Sequence, residues 1–143
     1  MKDLTRFSTL LIILSSISSA VISHKISGSL ICQGNCVRSG PEEAGQMLTI
    51  SIRDVSVADA ESTELAITET YLSEAWTFPL HYEIEFDGTR VLENKWRSYS
   101  ISARIFKDTS LRFITDTNND LTNSDKTGLK TEIDMNVVRV QQN

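Results

Sequence analysis

Residues 99–115, YSISARIFKDTSLRFIT, carry the clearest structural signal in the sequence. Apolar and polar residues alternate from Tyr99 to Ile105, which is the two-residue period of a strand with one buried face. Lys107, Asp108 and Thr109 then predict a hairpin turn, and residues 111–115 return as a second strand. This segment predicts an antiparallel hairpin that packs one face against a core.

The same period recurs through most of the chain. Further strands are predicted at residues 25–33, 48–52, 64–72, 80–86 and 133–137. Only residues 57–65 could contain a helical turn. About seven short strands without a convincing helix predict an all-β fold, a small antiparallel β-sandwich of two packed sheets. The predicted inward-facing residues are Leu48, Ile50, Ile52, Ile84, Ile101, Ile105, Phe113 and Ile133.

The start of the chain has the features of a secretory signal peptide. A positively charged beginning precedes an uncharged run of apolar residues and serines at 7–22, and small residues at Ala20 and Ser23 fit a signal peptidase. The run is shorter and more interrupted than a membrane span requires. We therefore expect cleavage of residues 1–23 and a single secreted domain at 24–143, extracellular or, in a bacterium, periplasmic.

The charge of the chain restricts its partners. The formal net charge is −5, and the predicted signal peptide contributes net positive charge, so the mature domain is more acidic still. An acidic surface disfavours nucleic acid and anionic membrane surfaces as partners.

Cys32 and Cys36 are the only cysteines in the sequence. In an extended strand their Cα atoms would lie roughly 13 Å apart, so the chain must turn between them to form a disulfide. Gly34 and Asn35 supply a turn signal, and an exported protein meets an oxidising compartment. The spacing therefore predicts a structural disulfide, because a redox motif would have two intervening residues and a zinc site would need four ligands.

Two stretches resemble a known family. Residues 48–69, LTISIRDVSVADAESTELAITE, are similar to the V-x-L-x-D-V-S-x-A-D-A…L-A segment of YbaY/YscW-type secreted domains. Residues 99–117 resemble the following hairpin of that family, which ends in L-x-F-x-T-D-T. The resemblance implies a small β-sandwich that is often an outer-membrane lipoprotein, and in some members a pilotin-like chaperone that guides a type III secretion secretin ring. It implies no catalytic residues.

The chain also departs from that family. Cys32 follows Leu30 and Ile31 rather than the small residues of a lipobox, so we expect no lipid anchor on this cysteine, and the Cys32/Cys36 pair is an addition. A fainter similarity is to nematode transthyretin-like secreted domains, which are β-sandwiches too.

The run at residues 54–60 has a physical interpretation of its own. Asp54, Ser56 and Asp59 carry short oxygen-bearing side chains that can bond nearby backbone N–H groups. We expect them to fix a tight corner between a strand and a loop.

The loop at residues 116–125, DTNNDLTNSD, is the best candidate for a metal ion. Four side chains match positions 1, 3, 5 and 9 of a calcium loop: Asp116, Asn118, Asp120 and Ser124. Leu121 and Thr127 stand where such a loop needs glycine and glutamate. The pattern favours a solvated loop between strands, with calcium as the alternative.

Copper offers a second metal hypothesis. If the mature chain began at His24, its amino terminus with the imidazoles of His24 and His81 would form a histidine brace, a ligand set that suits copper, as in copper-dependent polysaccharide oxidases. The alternative function is therefore a small secreted metal-binding protein or enzyme.

The remaining polar and aromatic residues have structural explanations. His81, Glu83 and Glu85 could do acid–base work but share the solvent face of one predicted strand. Trp76 and Trp96 are expected to pack in the core or at its rim. We predict a non-enzymatic protein without catalytic residues or a cofactor, which binds another protein or a matrix component and neither binds nucleic acid nor spans a membrane.

Overall fold

The computed structural model describes residues 23–34, 36, 44–57, 59–93, 96–124 and 127–141. Within them the elements are β1 (Ser23–Cys32), β2 (Gln46–Asp54), β3 (Thr63–Tyr71), β4 (Leu80–Asp87), α1 (Gly88–Glu93), β5 (Tyr99–Lys107), β6 (Ser110–Thr115), β7 (Asn119–Asp120) and β8 (Met135–Arg139). Except for Ser23, the predicted signal peptide lies outside the described residues. No helix in the described part of the chain is long and apolar enough to cross a membrane.

The strands form one continuous sheet rather than the two separate sheets of the predicted sandwich. Their order is β3-β2-β5-β6-β8-β1-β4, and β7 pairs with β5. The all-β prediction is confirmed. The sheets are not separate because β8 pairs antiparallel with β6 on one side and parallel with β1 on the other, which joins the two halves. The terminal strands β3 and β4 contact each other, so the sheet is a nearly closed barrel.

The core lies inside this curled sheet. All the inward-facing residues that the alternation predicts are buried. Facing pairs across β2 and β5 build its centre: Leu48 with Ile105, Ile50 with Ala103, and Ile52 with Ile101. Burial of such side chains is the main stabilising contribution, at about 25 cal/mol per Å² of apolar surface.

Gly28 allows a second chain segment to close against β1. A Cβ atom at this position would lie 1.9 Å from the carbonyl oxygen of Ile133. The two segments are hydrogen-bonded at the residue before Gly28, since Ser27 N–H donates to Thr131 O (3.1 Å) and Ile133 N–H donates to Ser27 O (3.0 Å). The buried hydroxyl of Tyr82 donates to the same Ile133 carbonyl, and burial raises the pKa of Tyr82.

Two elements differ from the sequence prediction. Helix α1 lies outside residues 57–65, where alone a helical turn was considered, and Asp87 caps it by accepting the N–H groups of Thr89 (3.1 Å) and Arg90 (3.4 Å). Strand β7 lies in the predicted polar loop and brings Leu121 into the core, where it is fully buried. The helical turn considered for residues 57–65 is absent from their described part, because β3 begins at Thr63.

Candidate functional site

An open groove lies at the end of β1, and we call it the β1 groove. Its volume is about 470 Å³. The lining residues are Ser29, Ile31, Cys32, Phe78, Pro79 and Asp134. Most of this lining is apolar, which is unusual for an outward face of a sheet and is typical of a binding surface.

Strand pairing explains why Ile31 is exposed in this groove. The ladder between β1 and β4 ends at Leu30 and Leu80, after which β1 continues against β8 with Ile31 opposite Asn136. The side chain of Leu30 is fully buried, and its neighbour Ile31 points outward with 40% of its surface exposed. An isoleucine at this position therefore contributes apolar surface outside the core.

The aromatic wall of the groove is supported from behind. Phe78 meets Trp76 and Phe113 edge to face, with ring centroids 5.0 and 5.1 Å apart. The guanidinium of Arg139 lies 4.7 Å from the centroid of the Phe113 ring. Since Trp76 and Phe113 belong to the buried core, Phe78 presents a fixed apolar surface to the groove.

The groove lining includes Cys32, one member of the predicted cysteine pair. The Cα atoms of Cys32 and Cys36 lie 5.9 Å apart and the structure pairs their sulfurs, a spacing that a disulfide accommodates. Gly34 has the positive φ of 79° that the predicted turn needs. The carbonyl of Cys36 accepts a hydrogen bond from Arg139 Nη2 (3.3 Å). Asn35 lies outside the described residues, and the disulfide stays a prediction until thiols are assayed.

The polar side of the groove continues along the outer face of β1 and β4. Asp134 Oδ1 accepts the N–H of Ser29 (2.9 Å). Further along, Lys25 pairs with Glu83 (3.1 Å) and Glu85 (3.9 Å), and its hydrogen bond with Glu83 raises the pKa of Lys25.

His81, Glu83 and Glu85 all lie on the exposed side of β4, as the alternation predicted. Their exposure and the pairing of the two carboxylates with Lys25 agree with a solvated strand face.

The two histidines of the copper hypothesis are not brought together. His24 lies opposite Phe86 in the register of β1 and β4, packs against its ring and donates from Nε2 to Lys130 O (3.1 Å). His81 lies five residues earlier on β4, roughly 16 Å along the strand. Side chains alternate between the two faces along a strand, so His81, five positions from Phe86, lies on the opposite face of the sheet from His24. These two imidazoles therefore do not share a metal in this fold.

The calcium candidates are spread along an extended segment. Asp116, Asn118, Asp120 and Ser124 are exposed, but the pairing of Asn119 and Asp120 with β5 prevents the chain from wrapping around an ion. Leu121, in the position that needs glycine, anchors the segment in the core. Asp125 lies outside the described residues. Among the residues that the structure describes, no three His, Cys, Asp or Glu side chains form a metal-binding group.

At the other end of the sheet, Asp54 and Ser56 form the predicted corner. Asp54 Oδ1 accepts the N–H of Ser56 (3.0 Å) and also its hydroxyl, and Asp54 Oδ2 pairs with Arg97. The hydrogen bond from Ser56 lowers the pKa of Asp54. Asp59 contributes a positive φ of 65° to the following turn. The paired side chains of Asp54 and Arg97 border a polar cavity of about 180 Å³.

Comparison with known proteins identifies the family to which this chain belongs. A family model described as type III secretion system lipoprotein chaperone (YscW) matches residues 38–135, well over half of the chain. The chain belongs to this family. The YscW-type resemblance seen in the sequence is thereby confirmed.

Among solved structures, an alternative pilotin from the type II secretion system of Vibrio cholerae is similar to this YscW-family chain. The two are 27% identical, the TM-score is 0.68, and the similarity covers 84% of this chain and 99% of the pilotin chain. No curated protein matches the chain. The lipoprotein chaperones and pilotins of this family are non-enzymatic, which supports a non-enzymatic, protein-binding role for this family member.

The groove residues of this YscW-family chain could only partly be found from sequence. Cys32 was singled out, whereas Ile31, Phe78 and Pro79 were not. Ile31 belongs to a strand whose apolar residues run together at Leu30 and Ile31, and this break in alternation was the available signal. Phe78 and Pro79 lie between β3 and β4, where no periodicity marks a residue as exposed.

Proposed function

We propose that this protein is a pilotin-type chaperone that binds a secretin subunit and has no enzymatic activity. The observation that carries the proposal is membership of the YscW family, whose description is a type III secretion lipoprotein chaperone. The similarity to a Vibrio cholerae type II pilotin supports it. A secretin subunit replaces the matrix component considered from the sequence, because both comparisons point to secretion machinery.

The proposed docking site for the secretin is the β1 groove. Its apolar wall of Ile31, Phe78 and Pro79 suits an apolar side chain of the partner, and burial of one such side chain contributes roughly 1.5–3 kcal/mol. The carboxylate of Asp134 borders the same groove and is exposed. Together with the net charge of −5, it favours a partner segment in which a basic residue neighbours the apolar one.

The proposal includes the cellular location. We infer that residues 1–23 direct export and are removed, that residues 24–143 form one domain in the periplasm or at the outer membrane, and that Cys32 and Cys36 form a disulfide there. Family membership supports a periplasmic or outer-membrane site rather than a freely extracellular one.

A peptide-binding experiment tests the proposal. Overlapping fluorescent peptides that tile the secretin of the same organism are titrated with the exported protein, and fluorescence anisotropy gives the dissociation constant. We expect one contiguous set of peptides to bind. Failure of every peptide and of the intact secretin subunit to bind would contradict the proposed function.

A matched pair of variants tests the location of the binding surface. Ile31→Asp places a charge in the groove, and we expect at least about tenfold weaker peptide binding, because loss of one buried apolar contact is worth that much. Ile67→Asp is the control, since Ile67 is similarly exposed, 47% against 40%, but lies on β3. If both variants bind as the unmodified protein does, the groove is not the docking site.

A further inference from the structure

A polar cavity of about 180 Å³ opens beside the corner at Asp54, and we call it the Arg97 cavity. Several strand ends contribute to its lining: Asp54 of β2, Thr63 of β3, Tyr99 of β5, and Arg97 just before β5. A concave site on which a few polar groups from different elements converge is a candidate for binding a ligand. The chemistry of that ligand follows from which of these groups are already engaged within the protein.

The carboxylates of the cavity already have partners. Asp54 accepts hydrogen bonds from the N–H and the hydroxyl of Ser56 at Oδ1 and from Arg97 at Oδ2, and only 11% of its side chain is exposed. Glu64, the second carboxylate of the lining, lies 3.6 Å from Nη2 of Arg53. A ligand that donates hydrogen bonds would therefore have to compete with existing contacts.

The donors of the cavity are not fully engaged. Only 7% of Tyr99 is exposed, yet its hydroxyl has no hydrogen-bond partner among the residues that the structure describes. A guanidinium has five N–H donors, and toward those same residues Arg97 uses only Nη1, which bonds to Asp54. The pKa of Arg97 is raised chiefly by the hydrogen bond with Asp54 and to a smaller extent by Tyr99, so the phenol and the guanidinium are neighbours. These two groups together lack an acceptor, which water or a ligand must supply.

The charge of the lining restricts the charge of the ligand. The formal charges of its ionisable side chains sum to zero: Asp54, Glu64, Arg90 and Arg97. Arg53, which pairs with Glu64, adds one positive charge next to the cavity. Lys95 lies outside the described residues and is not counted. A ligand with one negative charge would neutralise this site, whereas a ligand with two would leave it negative in a chain whose net charge is already −5.

We propose that the Arg97 cavity binds a carboxylate, with the guanidinium of Arg97 and the hydroxyl of Tyr99 as its donors. The planar fork of an arginine matches the geometry of a carboxylate, and such charge-assisted hydrogen bonds are roughly twice as strong as neutral ones. A carboxylate carries the single negative charge that the lining accommodates, whereas a phosphate group carries about −1.5 to −2 at neutral pH. The site is separate from the β1 groove, with which its lining shares no residue.

Titrations of the isotope-labelled exported protein followed by NMR test the proposal. Sodium acetate should cause saturable shifts of the backbone amides that border the cavity, such as those of Thr63, Arg97 and Tyr99, and sodium chloride at the same ionic strength should not. Inorganic phosphate should bind more weakly than acetate. N-acetylalanine should bind, whereas its amide, which differs only in lacking the carboxylate, should not. Tighter binding of N-acetylalanine than of acetate would support a peptide chain end as the source of the carboxylate, and equal binding would support a small free acid.

A matched pair of tyrosine variants locates the site. Tyr99→Phe removes a hydroxyl that has no partner in the described part of the chain, so the melting temperature should change little. Acetate binding should weaken by roughly tenfold or more, the effect of losing one hydrogen bond to a charged group. Tyr71→Phe is the control and should bind acetate normally, because Tyr71 is 78% exposed and lies at the opposite end of β3 from Thr63.

Three results would each overturn the proposal. They are the absence of saturable shifts at the cavity amides, the same shifts with N-acetylalanine and its amide, and equal acetate affinity of Tyr99→Phe and the unmodified protein. Stronger binding of phosphate than of acetate would overturn the assignment to a carboxylate. None of these outcomes bears on the β1 groove, which Ile31→Asp tests separately.

Discussion

Replacement of Gly28 by alanine is the sharpest test of how this barrel closes. The new Cβ would lie 1.9 Å from the carbonyl oxygen of Ile133 and 3.1 Å from Cε1 of Tyr82. Neither neighbour can yield cheaply, since the first is backbone and the second is a buried ring. The segment that carries Ile133 must therefore move away from β1 by about 1.5 Å to reach ordinary van der Waals distance.

The cost of this movement follows from the contacts it breaks. A hydrogen bond does not survive a shift of that size. Three hydrogen bonds connect the segment of Ile133 to β1 and β4: Ser27 to Thr131, Ile133 to Ser27, and Tyr82 to Ile133. Overpacking costs about 1–3 kcal/mol, and each lost hydrogen bond costs about 1 kcal/mol. With two of the bonds lost, we expect Gly28→Ala to reduce the free energy of unfolding by about 3–5 kcal/mol.

Urea denaturation followed by circular dichroism measures this free energy, and the melting temperature should fall by about 10–20 °C. Gly128→Ala is the control, because its Cβ would meet only the side-chain nitrogen of the exposed Asn123, at 3.1 Å. We expect a change within about 1 kcal/mol for the control. A cost below about 1 kcal/mol for Gly28→Ala would refute the close approach of the two segments.

Four further predictions concern the core, the corner, the disulfide and metals. Phe113→Ala should lower the free energy of unfolding by about 3–5 kcal/mol, because Phe113 is fully buried. Glu83→Gln, on the exposed face of β4, should change it by no more than about 0.5 kcal/mol. Equal effects of the two substitutions in urea denaturation would contradict the assignment of buried and exposed faces. The pKa of Asp54 is lowered from its usual 3.8, chiefly by the hydrogen bond from Ser56, so its stabilising contribution is present above that pH and is lost as the pH falls through the lower folded value. The melting temperatures of the unmodified protein and Asp54→Asn should therefore differ at neutral pH and converge in acid, and a difference independent of pH would exclude this linkage. Alkylation of the native exported protein should detect no free thiol. Cys32→Ser should lower the free energy of unfolding by about 2 kcal/mol, the value expected for a disulfide that closes so short a loop. Ready alkylation of both cysteines would rule out the disulfide. Calcium and copper should leave the melting temperature unchanged, and a rise of several degrees that Asp120→Ala or His24→Ala abolishes would restore the metal-binding alternative.

The strands were predictable because a sheet with one buried face imposes a local pattern. All predicted strands occur in the structure, and residues such as Ile50 and Ile101 could be assigned to the core from alternation alone. The joining of the two halves was not predictable, since the pairing of β8 with β1 depends on contacts between residues far apart in the chain, such as Leu30 and Met135. Periodicity within a strand contains no information about its neighbours.

The candidate binding surfaces were harder to predict for a related reason. The β1 groove consists largely of residues in loops and at strand ends, such as Phe78 and Ile31, where no period distinguishes an exposed apolar side chain from a buried one. Trp76 and Trp96 received the same prediction from sequence, yet Trp76 lies in the core and Trp96 lies outside it. The difference is set by what surrounds each residue in space.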